Sequence, residues 1–154
     1  MDIQLRRLRE FEEAVELGPE LDVYIAQATS DFRDNAPPAG TGLKMLERVF
    51  DAPEGVVLLA ETDSGERLGY CVVGPLIDPV VGDRWPMVLA LWVHPDYRHR
   101  GLGGSLIKRV IADLHADGGH ALAARAGHND DALISMGERW GFVRHWELMI
   151  HEPE

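Results

Sequence analysis

The chain has 154 residues, 45% of them hydrophobic and 27% charged, which is typical of one globular domain spanning 1–154. A formal net charge of −11 disfavours binding to nucleic acid or an anionic membrane. The single cysteine, Cys71, excludes an intramolecular disulfide and a cysteine-based metal site. The histidines fall at no recognised ligand spacing, and His115 and His120 flank a predicted helix end, so no metal is expected. No signal pattern or long apolar run is present, so we expect a cytoplasmic protein without membrane contact.

The first half of the chain predicts one strand, two helices and a β-hairpin. In chain order these are a strand at 3–8, an acidic helix from near Phe11, a loop at 31–42, a helix around 43–50, and strands at 55–62 and 67–74. The two later strands are joined by four residues that include Gly65, which is a hairpin signature.

The second half alternates apolar runs with helical patterns. In chain order it contains a strand at 87–93, a helix at about 101–116, an apolar run at 121–126, a helix at about 129–140 and a last strand at about 142–150. The run at 87–93 is nearly all apolar, as expected at the centre of a sheet covered on both faces. This order indicates a mixed α/β fold.

The turn between the strand at 87–93 and the following helix carries the clearest chemical signal. Three glycines within four residues open the helix, and Arg98 and Arg100 flank them. The first N–H groups of a helix have no intrahelical acceptor and lie at the positive end of its dipole, so they can bind a phosphate. Walker A and dinucleotide-binding patterns are not matched. A glycine-rich connection without a ligand is the alternative.

This turn resembles the central motif of the GNAT superfamily of acetyl-CoA-dependent N-acetyltransferases. The matching residues are Arg98-His99-Arg100-Gly101-Leu102-Gly103, preceded by the usual Val93-His94-Pro95-Asp96-Tyr97. Asn129 with Ala132, followed by Gly141-Phe142, resembles the second cofactor segment of the family. The resemblance covers residues 55–150 well and the first 50 residues only by the order of elements.

The resemblance implies a GNAT-like acyl-CoA acyltransferase fold with a mixed, mostly antiparallel central sheet and helices on both faces. Strands four and five are expected to splay apart and admit the pantetheine arm of acetyl-CoA. The implied cofactor-binding residues are Leu91, Trp92, Val93, Arg98, His99, Arg100, Gly101, Leu102, Gly103, Gly104, Ser105 and Asn129. Backbone N–H groups of 100–105 would hold the pyrophosphate, those of 91–93 the pantetheine and thioester carbonyl, and Asn129 the pantetheine or the opposite wall.

The usual catalytic positions of the family are not filled, so the catalytic residues are unknown. Leu89-Ala90-Leu91 stands where many members carry a glutamate base. The position of the tyrosine acid falls on Met136 or Gly137, depending on the direction of counting. Substitutes can be named, each with an ordinary structural role as the alternative: Tyr70 (core aromatic), His94 (solvent-facing strand end) and Glu61 (surface charge).

The implied function is an N-acetyltransferase that transfers acetyl from acetyl-CoA to a primary amine by direct attack in a ternary complex. No acyl-enzyme is needed, so Cys71 is expected to be a buried strand residue. One alternative is a catalytically weak or inactive acyl-CoA-binding regulatory module. Another is an unrelated α/β domain whose turn binds nothing.

The acceptor and the oligomeric state are hypotheses. Eight carboxylates and one base between Glu10 and Asp34 favour a cationic acceptor, with a solvated helix face as the alternative. Trp85 and Trp92 belong to an acceptor pocket or to the core. The apolar run at 142–150 could pair two copies in a homodimer.

Overall fold

A four-stranded antiparallel sheet forms the centre of the computed structural model, which describes residues 2–30, 35–118, 121–151 and 153. The strands lie side by side in chain order: β1 (Ile3–Leu8), β2 (Val56–Thr62), β3 (Arg67–Ile77) and β4 (Arg84–Val93). The helices are α1 (Phe11–Ala14), α2 (Gly18–Thr29), α3 (Thr41–Asp51), α4 (Leu102–Ala116) and α5 (Asp131–Arg139), with 3₁₀ turns at Val15–Leu17 and Pro95–Tyr97.

Helices cover both faces of the sheet, as the sequence predicted. Successive side chains of a strand point to opposite faces, so Val57 and Leu59 of β2 pack in the cluster with α2 and α3. Val56 and Leu58 lie in the other cluster, with the apolar stripe of α4. Burial on both faces explains why β2 and β3 are continuously apolar rather than alternating.

The elements predicted in the first half are confirmed. The β2–β3 hairpin turns at Gly65, whose φ of +85° is a conformation that favours glycine. The predicted loop at 31–42 ends where α3 begins at Thr41, and residues 31–34 lie outside the described residues. The predicted pair His115 and His120 cannot be compared, because His120 also lies outside them.

The predicted last strand at 142–150 is wrong. Residues 142–150 form no regular secondary structure, and Val143, Leu148 and Met149 are 79%, 85% and 89% exposed. A strand needs a neighbour whose backbone groups accept and donate its hydrogen bonds. The run at 121–126 supplies only one bridge, at Ala123, so no ladder extends towards the C-terminus. Apolar β-forming residues without such a partner do not make a strand.

The outer edge of β4 pairs with the chain at only one end. Val88 N–H donates to Ala123 O over 2.9 Å and Ala123 N–H donates to Pro86 O over 2.8 Å, which makes a parallel bridge. Leu89 is an extra residue between the pairs that β4 makes with β3, and it marks a bulge. No further bridge joins 124–126 to β4 in the described chain, so the outer edge of β4 from residue 90 to Val93 has no paired strand, and we call this unpaired edge the gap.

The helices of the described residues are short or amphipathic. Among residues 2–30, 35–118, 121–151 and 153, none is long and apolar enough to cross a membrane.

Candidate functional site

The turn after β4 has two residues in the left-handed conformation. His99 has φ +63° and Gly101, the N-cap of α4, has φ +83°. Ser105 N–H donates to Gly101 O over 3.0 Å and so closes the first turn of the helix. The N–H groups of 102–104 therefore have no intrahelical acceptor and lie at the positive end of α4. The left-handed Gly101 is followed directly by the right-handed first residue of α4, and such a pair turns successive N–H groups towards one concavity, which suits an anion.

The other two glycines of the turn face an indole ring. A Cβ added at Gly103 or Gly104 would lie 3.3 or 3.1 Å from the ring of Trp140. Trp140 caps α5, and the chain reverses there through Gly141 at φ +94°, with Phe142 N–H bonded to Gly137 O. These glycines thus let the end of α5 pack on the first turn of α4. This packing brings the glycine turn at 98–103 into contact with the second motif segment, which runs from Asn129 to Phe142.

The two arginines of the turn have different surroundings. Arg98 Nε donates to Val93 O over 2.8 Å, which ties the turn to the outer edge of β4. The Arg100 guanidinium lies 5.5 Å from the centre of the Tyr97 ring. Arg100 also borders an open groove of about 490 Å³, whose other lining residues are Ile3, Leu5, Tyr97, Leu102 and Ser105.

Asn129 lies in the exposed turn before α5. The helix itself is capped by the next residue, because the Asp130 carboxylate accepts the Leu133 N–H over 3.1 Å. The Asn129 side chain is therefore not the one that caps α5.

Of the residues 91–93 that the resemblance selected, Leu91 and Val93 point their backbone groups to the gap, whereas those of Trp92 face Tyr70 of β3. His94 N–H points to β3, where it donates to Leu68 O over 2.7 Å. Because the direction alternates along a strand, Leu91 and Val93 point their N–H and C=O groups outward. Leu91 N–H donates to the hydroxyl of Tyr24 over 3.2 Å, and Val93 O is the acceptor for Arg98. The Trp92 ring stacks on Tyr70 at 5.5 Å on the face that carries α2.

The three substitute acid–base candidates do not form one cluster: the rings of Tyr70 and His94 both contact Trp92, and Glu61 lies on β2. Tyr70 is 1% exposed, and burial raises the pKa of its phenol well above the usual range. His94 Nδ1 accepts the Asp96 N–H over 3.1 Å, so the neutral imidazole carries its proton on Nε2 and lacks a free basic nitrogen. Glu61 pairs with Arg6 at 2.8 Å on β2, two strands away from the β4 edge. In the described contacts, the side chains bonded to the outward groups of Leu91 and Val93 are those of Tyr24 and Arg98, and none of the three candidates is among them.

The carboxylates of α1 and α2 are largely engaged within the fold. Glu13 accepts the Glu10 N–H in a capping box, and Glu20 pairs with Arg67. Asp22 accepts N–H groups from the start of α3, and these hydrogen bonds hold the pKa of its carboxyl below the usual range. Asp31 and Asp34 lie outside the described residues.

Trp85 does not join the core. Its ring contacts the C-terminal segment, and its centre lies 5.9 Å from the centre of the His145 ring and 6.0 Å from that of the Trp146 ring. Trp92, in contrast, is half-buried against the cluster that α2 and α3 form with the sheet. Of the two tryptophans considered for an acceptor pocket, Trp92 is the one beside the gap.

Tyr24 is the group at this site that sequence reasoning missed. It lies on α2, far from either motif in the sequence, and its hydroxyl meets Leu91 N–H across 67 positions of chain. Burial raises the pKa of the Tyr24 phenol, and the Leu91 hydrogen bond and the charge of Arg125 lower it by less. No local pattern marks such a residue, because only the packing of α2 against β4 places it there.

Comparison with known proteins identifies relatives of one kind. Residues 22–142 match the sequence model described as the acetyltransferase (GNAT) family. An L-methionine sulfoximine/L-methionine sulfone acetyltransferase from Pseudomonas paraeruginosa is 33% identical over 86 residues, which cover 56% of this chain and 49% of that protein. An acetyltransferase from Sodalis glossinidius is 30% identical over 139 residues, covering 90% of this chain and 84% of that protein. This chain thus spans about half the length of the Pseudomonas relative.

Solved structures with the same fold cover nearly the whole chain. A ribosomal-protein-alanine N-acetyltransferase from Brucella melitensis biovar Abortus superposes with a TM-score of 0.70 and 22% identity, covering 99% of both chains. The aminoglycoside N-acetyltransferase AAC(6')-Iy in complex with CoA superposes with a TM-score of 0.72 and 16% identity, and the match covers 99% of this chain and 95% of that chain. At these identities the likeness concerns the fold.

Metal-ligating side chains do not cluster in the part of the chain that is described. No group of three or more His, Cys, Asp or Glu there could hold a metal ion.

Cys71 should be chemically inert in the native protein. It is fully buried, and burial raises the pKa of its thiol to about 12, so roughly one thiol in 10,000 is ionised at pH 8. We expect no reaction with a disulfide reagent such as DTNB at pH 8 before unfolding, and one equivalent of thiol in denaturant. Modification of the native protein at the rate of a free thiol would contradict this placement.

Proposed function

The chain belongs to the acetyltransferase (GNAT) family, and on that premise we propose that it transfers the acetyl group of acetyl-CoA to a primary amine in a ternary complex. The observation that carries the proposal is the gap along β4 from residue 90 to Val93, with the anion-suited turn of α4 at its end. One ligand that is both a thioester and a pyrophosphate fits these two features together.

The residues present suit the two polar parts of acetyl-CoA. The N–H groups of 102–104 would donate hydrogen bonds to the pyrophosphate at the start of α4, where Gly101 is the left-handed N-cap. Arg100 adds a positive charge at the same place, whereas Arg98 positions the turn through Val93 O. The outward groups of 91–93 would pair with the pantetheine and the thioester carbonyl. Asn129 lies in the turn before α5, and we propose that it forms part of the wall of the gap opposite β4.

Direct transfer needs no nucleophile from the chain. The amine nitrogen forms the C–N bond, the C–S bond breaks, and the electron pair leaves on the sulfur of CoA. A typical alkylamine with a pKa near 10.4 is only about one part in 2,500 neutral at pH 7. Leu89, Ala90 and Leu91 offer no carboxylate to take its proton. We therefore propose that the amine reaches the site as its minor neutral form and that, after attack, its nitrogen gives one proton to water and keeps the other in the amide.

The acceptor we propose is a small amine of the amino-acid class. The relatives by sequence include an acetyltransferase named for methionine analogues and an L-amino acid N-acyltransferase of Escherichia coli, 28% identical over 58% of this chain. The carboxylates that favoured a cationic acceptor are partly engaged, since Glu13, Glu20 and Asp22 have partners within the fold.

The second candidate function is a module that binds acyl-CoA and does not catalyse transfer. The positions of the family's glutamate base and tyrosine acid are not filled in this chain, which favours this candidate.

Replacing Gly101 with valine should weaken acetyl-CoA binding by at least about tenfold. A β-branched residue at φ +83° forces the N-cap of α4 out of its conformation and turns the N–H groups of the first turn away from the pyrophosphate. Calorimetric titration with acetyl-CoA measures the change in affinity.

Gly65→Val is the matched control. Gly65 has φ +85° and, like Gly101, an added Cβ there would meet nothing within 4 Å in the described structure, but it lies at the β2–β3 hairpin. Gly65→Val should lower the free energy of unfolding by about as much as Gly101→Val does, and it should leave the affinity for acetyl-CoA unchanged. Equal affinity in both variants and the parent would refute the phosphate site.

An amine panel should produce CoA thiol fastest with neutral or zwitterionic L-amino acids and their analogues. Polyamines and aminoglycosides should react more slowly, because the paired carboxylates offer them little free negative charge. Thiol release is followed with a chromogenic disulfide reagent under saturating acetyl-CoA. Faster reaction of polyamines would restore the cationic acceptor, and binding without thiol release from any amine would favour the regulatory module.

A further inference from the structure

The hydroxyl of Tyr24 occupies the outer edge of β4 at Leu91. Leu91 N–H donates to Tyr24 Oη over 3.2 Å, just beyond the bulge at Leu89 and within the gap. The charge of Arg125, on the segment that leaves β4 after Ala123, also acts on this phenol. The hydroxyl thus lies on the unpaired outer edge of β4.

The Tyr24 ring is held by its surroundings. It packs edge to face on Tyr70 at 6.4 Å, and Tyr70 in turn stacks on Trp92. The helix that carries it is fixed to α3, because Asp22 accepts the N–H groups of Gly40 and Gly42 over 3.0 and 2.7 Å. A Cβ on Gly42 would lie 2.5 Å from Gly18 O, so α2 and α3 are in close contact. The position of the hydroxyl is therefore set before any ligand binds.

We propose that Tyr24 is a catalytic residue whose phenol donates a second hydrogen bond, beside Leu91 N–H, to the carbonyl oxygen of the acetyl thioester. The inference rests on the proposed function. Two donor atoms 3.2 Å apart can both lie within about 2.7–3.1 Å of one oxygen, which is the spacing of an oxyanion site. The carbonyl oxygen then replaces Tyr24 Oη as the acceptor of Leu91 N–H, and the phenol turns its proton to the same oxygen.

The chemistry balances without a proton leaving Tyr24. As the amine nitrogen forms the C–N bond, the carbonyl π pair moves to oxygen, where both donors stabilise the negative charge. When that pair returns, the C–S bond breaks and its electrons leave on sulfur. Water takes the ammonium proton, and the thiolate, with a thiol pKa near 8.5, is protonated from water. Burial raises the pKa of the Tyr24 phenol, so it remains a neutral donor around pH 7.

Tyr24→Phe tests this role because it removes the hydroxyl and keeps the ring that packs on Tyr70. Removal of one oxyanion donor lowers kcat by roughly 10²-fold. Both kcat and kcat/KM for the amine should fall by this factor, while the dissociation constant of acetyl-CoA stays unchanged. Tyr70→Phe is the matched control, since it deletes a buried hydroxyl one ring away, and its kcat should equal that of the parent.

A second measurement does not depend on turnover. The infrared carbonyl band of acetyl-CoA labelled with ¹³C at the acetyl carbonyl should move to lower frequency on binding to the parent protein and move back part of the way in Tyr24→Phe. Parent-like kcat and an unchanged band in the variant would overturn the assignment and leave the proposed function standing. Loss of acetyl-CoA affinity together with stability would also overturn it, in favour of a packing role. A parent protein that does not bind acetyl-CoA would overturn both.

Discussion

The incomplete pairing of β4 is the constraint on which the site depends. Backbone N–H and C=O groups must find partners, and a strand edge normally finds them in a neighbouring strand. Here the neighbour departs after the single bridge at Ala123, while β4 runs on to Val93. Two side chains bond part of this edge instead: Tyr24 accepts from Leu91 N–H, and Arg98 donates to Val93 O. A side chain covers less of the edge than a strand does, and a backbone group such as Leu91 N–H can exchange a side-chain acceptor for an acceptor on a ligand.

The two ends of this gap are built by different packing arrangements. At one end, Gly103 and Gly104 admit the Trp140 ring, which holds α5 against the first turn of α4. At the other, the close contact of α2 and α3 places Tyr24 against β4. Glycine therefore has two roles at this site. Gly101 adopts the left-handed conformation of the turn, and Gly103 and Gly104 leave room for the Trp140 ring. The first use was visible in the sequence, and the second depends on which ring lies opposite.

Local patterns predicted the elements whose hydrogen bonds and burial are decided nearby. The hairpin at Gly65, the helix after the glycine turn and the continuously apolar β2 and β3 are of this kind. The position of β4 is not, because the sequence predicted it at the centre of the sheet and it is the last strand. The strand expected at 142–150 failed because a strand also requires a partner distant in sequence, and the described residues supply none beyond Ala123. Tyr24 escaped notice for the same reason: its contact with Leu91 is made between a helix and a strand that no motif connects.

The central claim is that acetyl-CoA lies along β4 with its pyrophosphate on the first turn of α4. Amide chemical shifts of ¹⁵N-labelled protein, followed during titration with acetyl-CoA, test it residue by residue. The account predicts large shifts at Leu91, Val93 and residues 101–104, reaching saturation at one equivalent. Saturable shifts confined to the β1 side of the molecule, around Ile3 and Leu5, or no shifts at all, would contradict it.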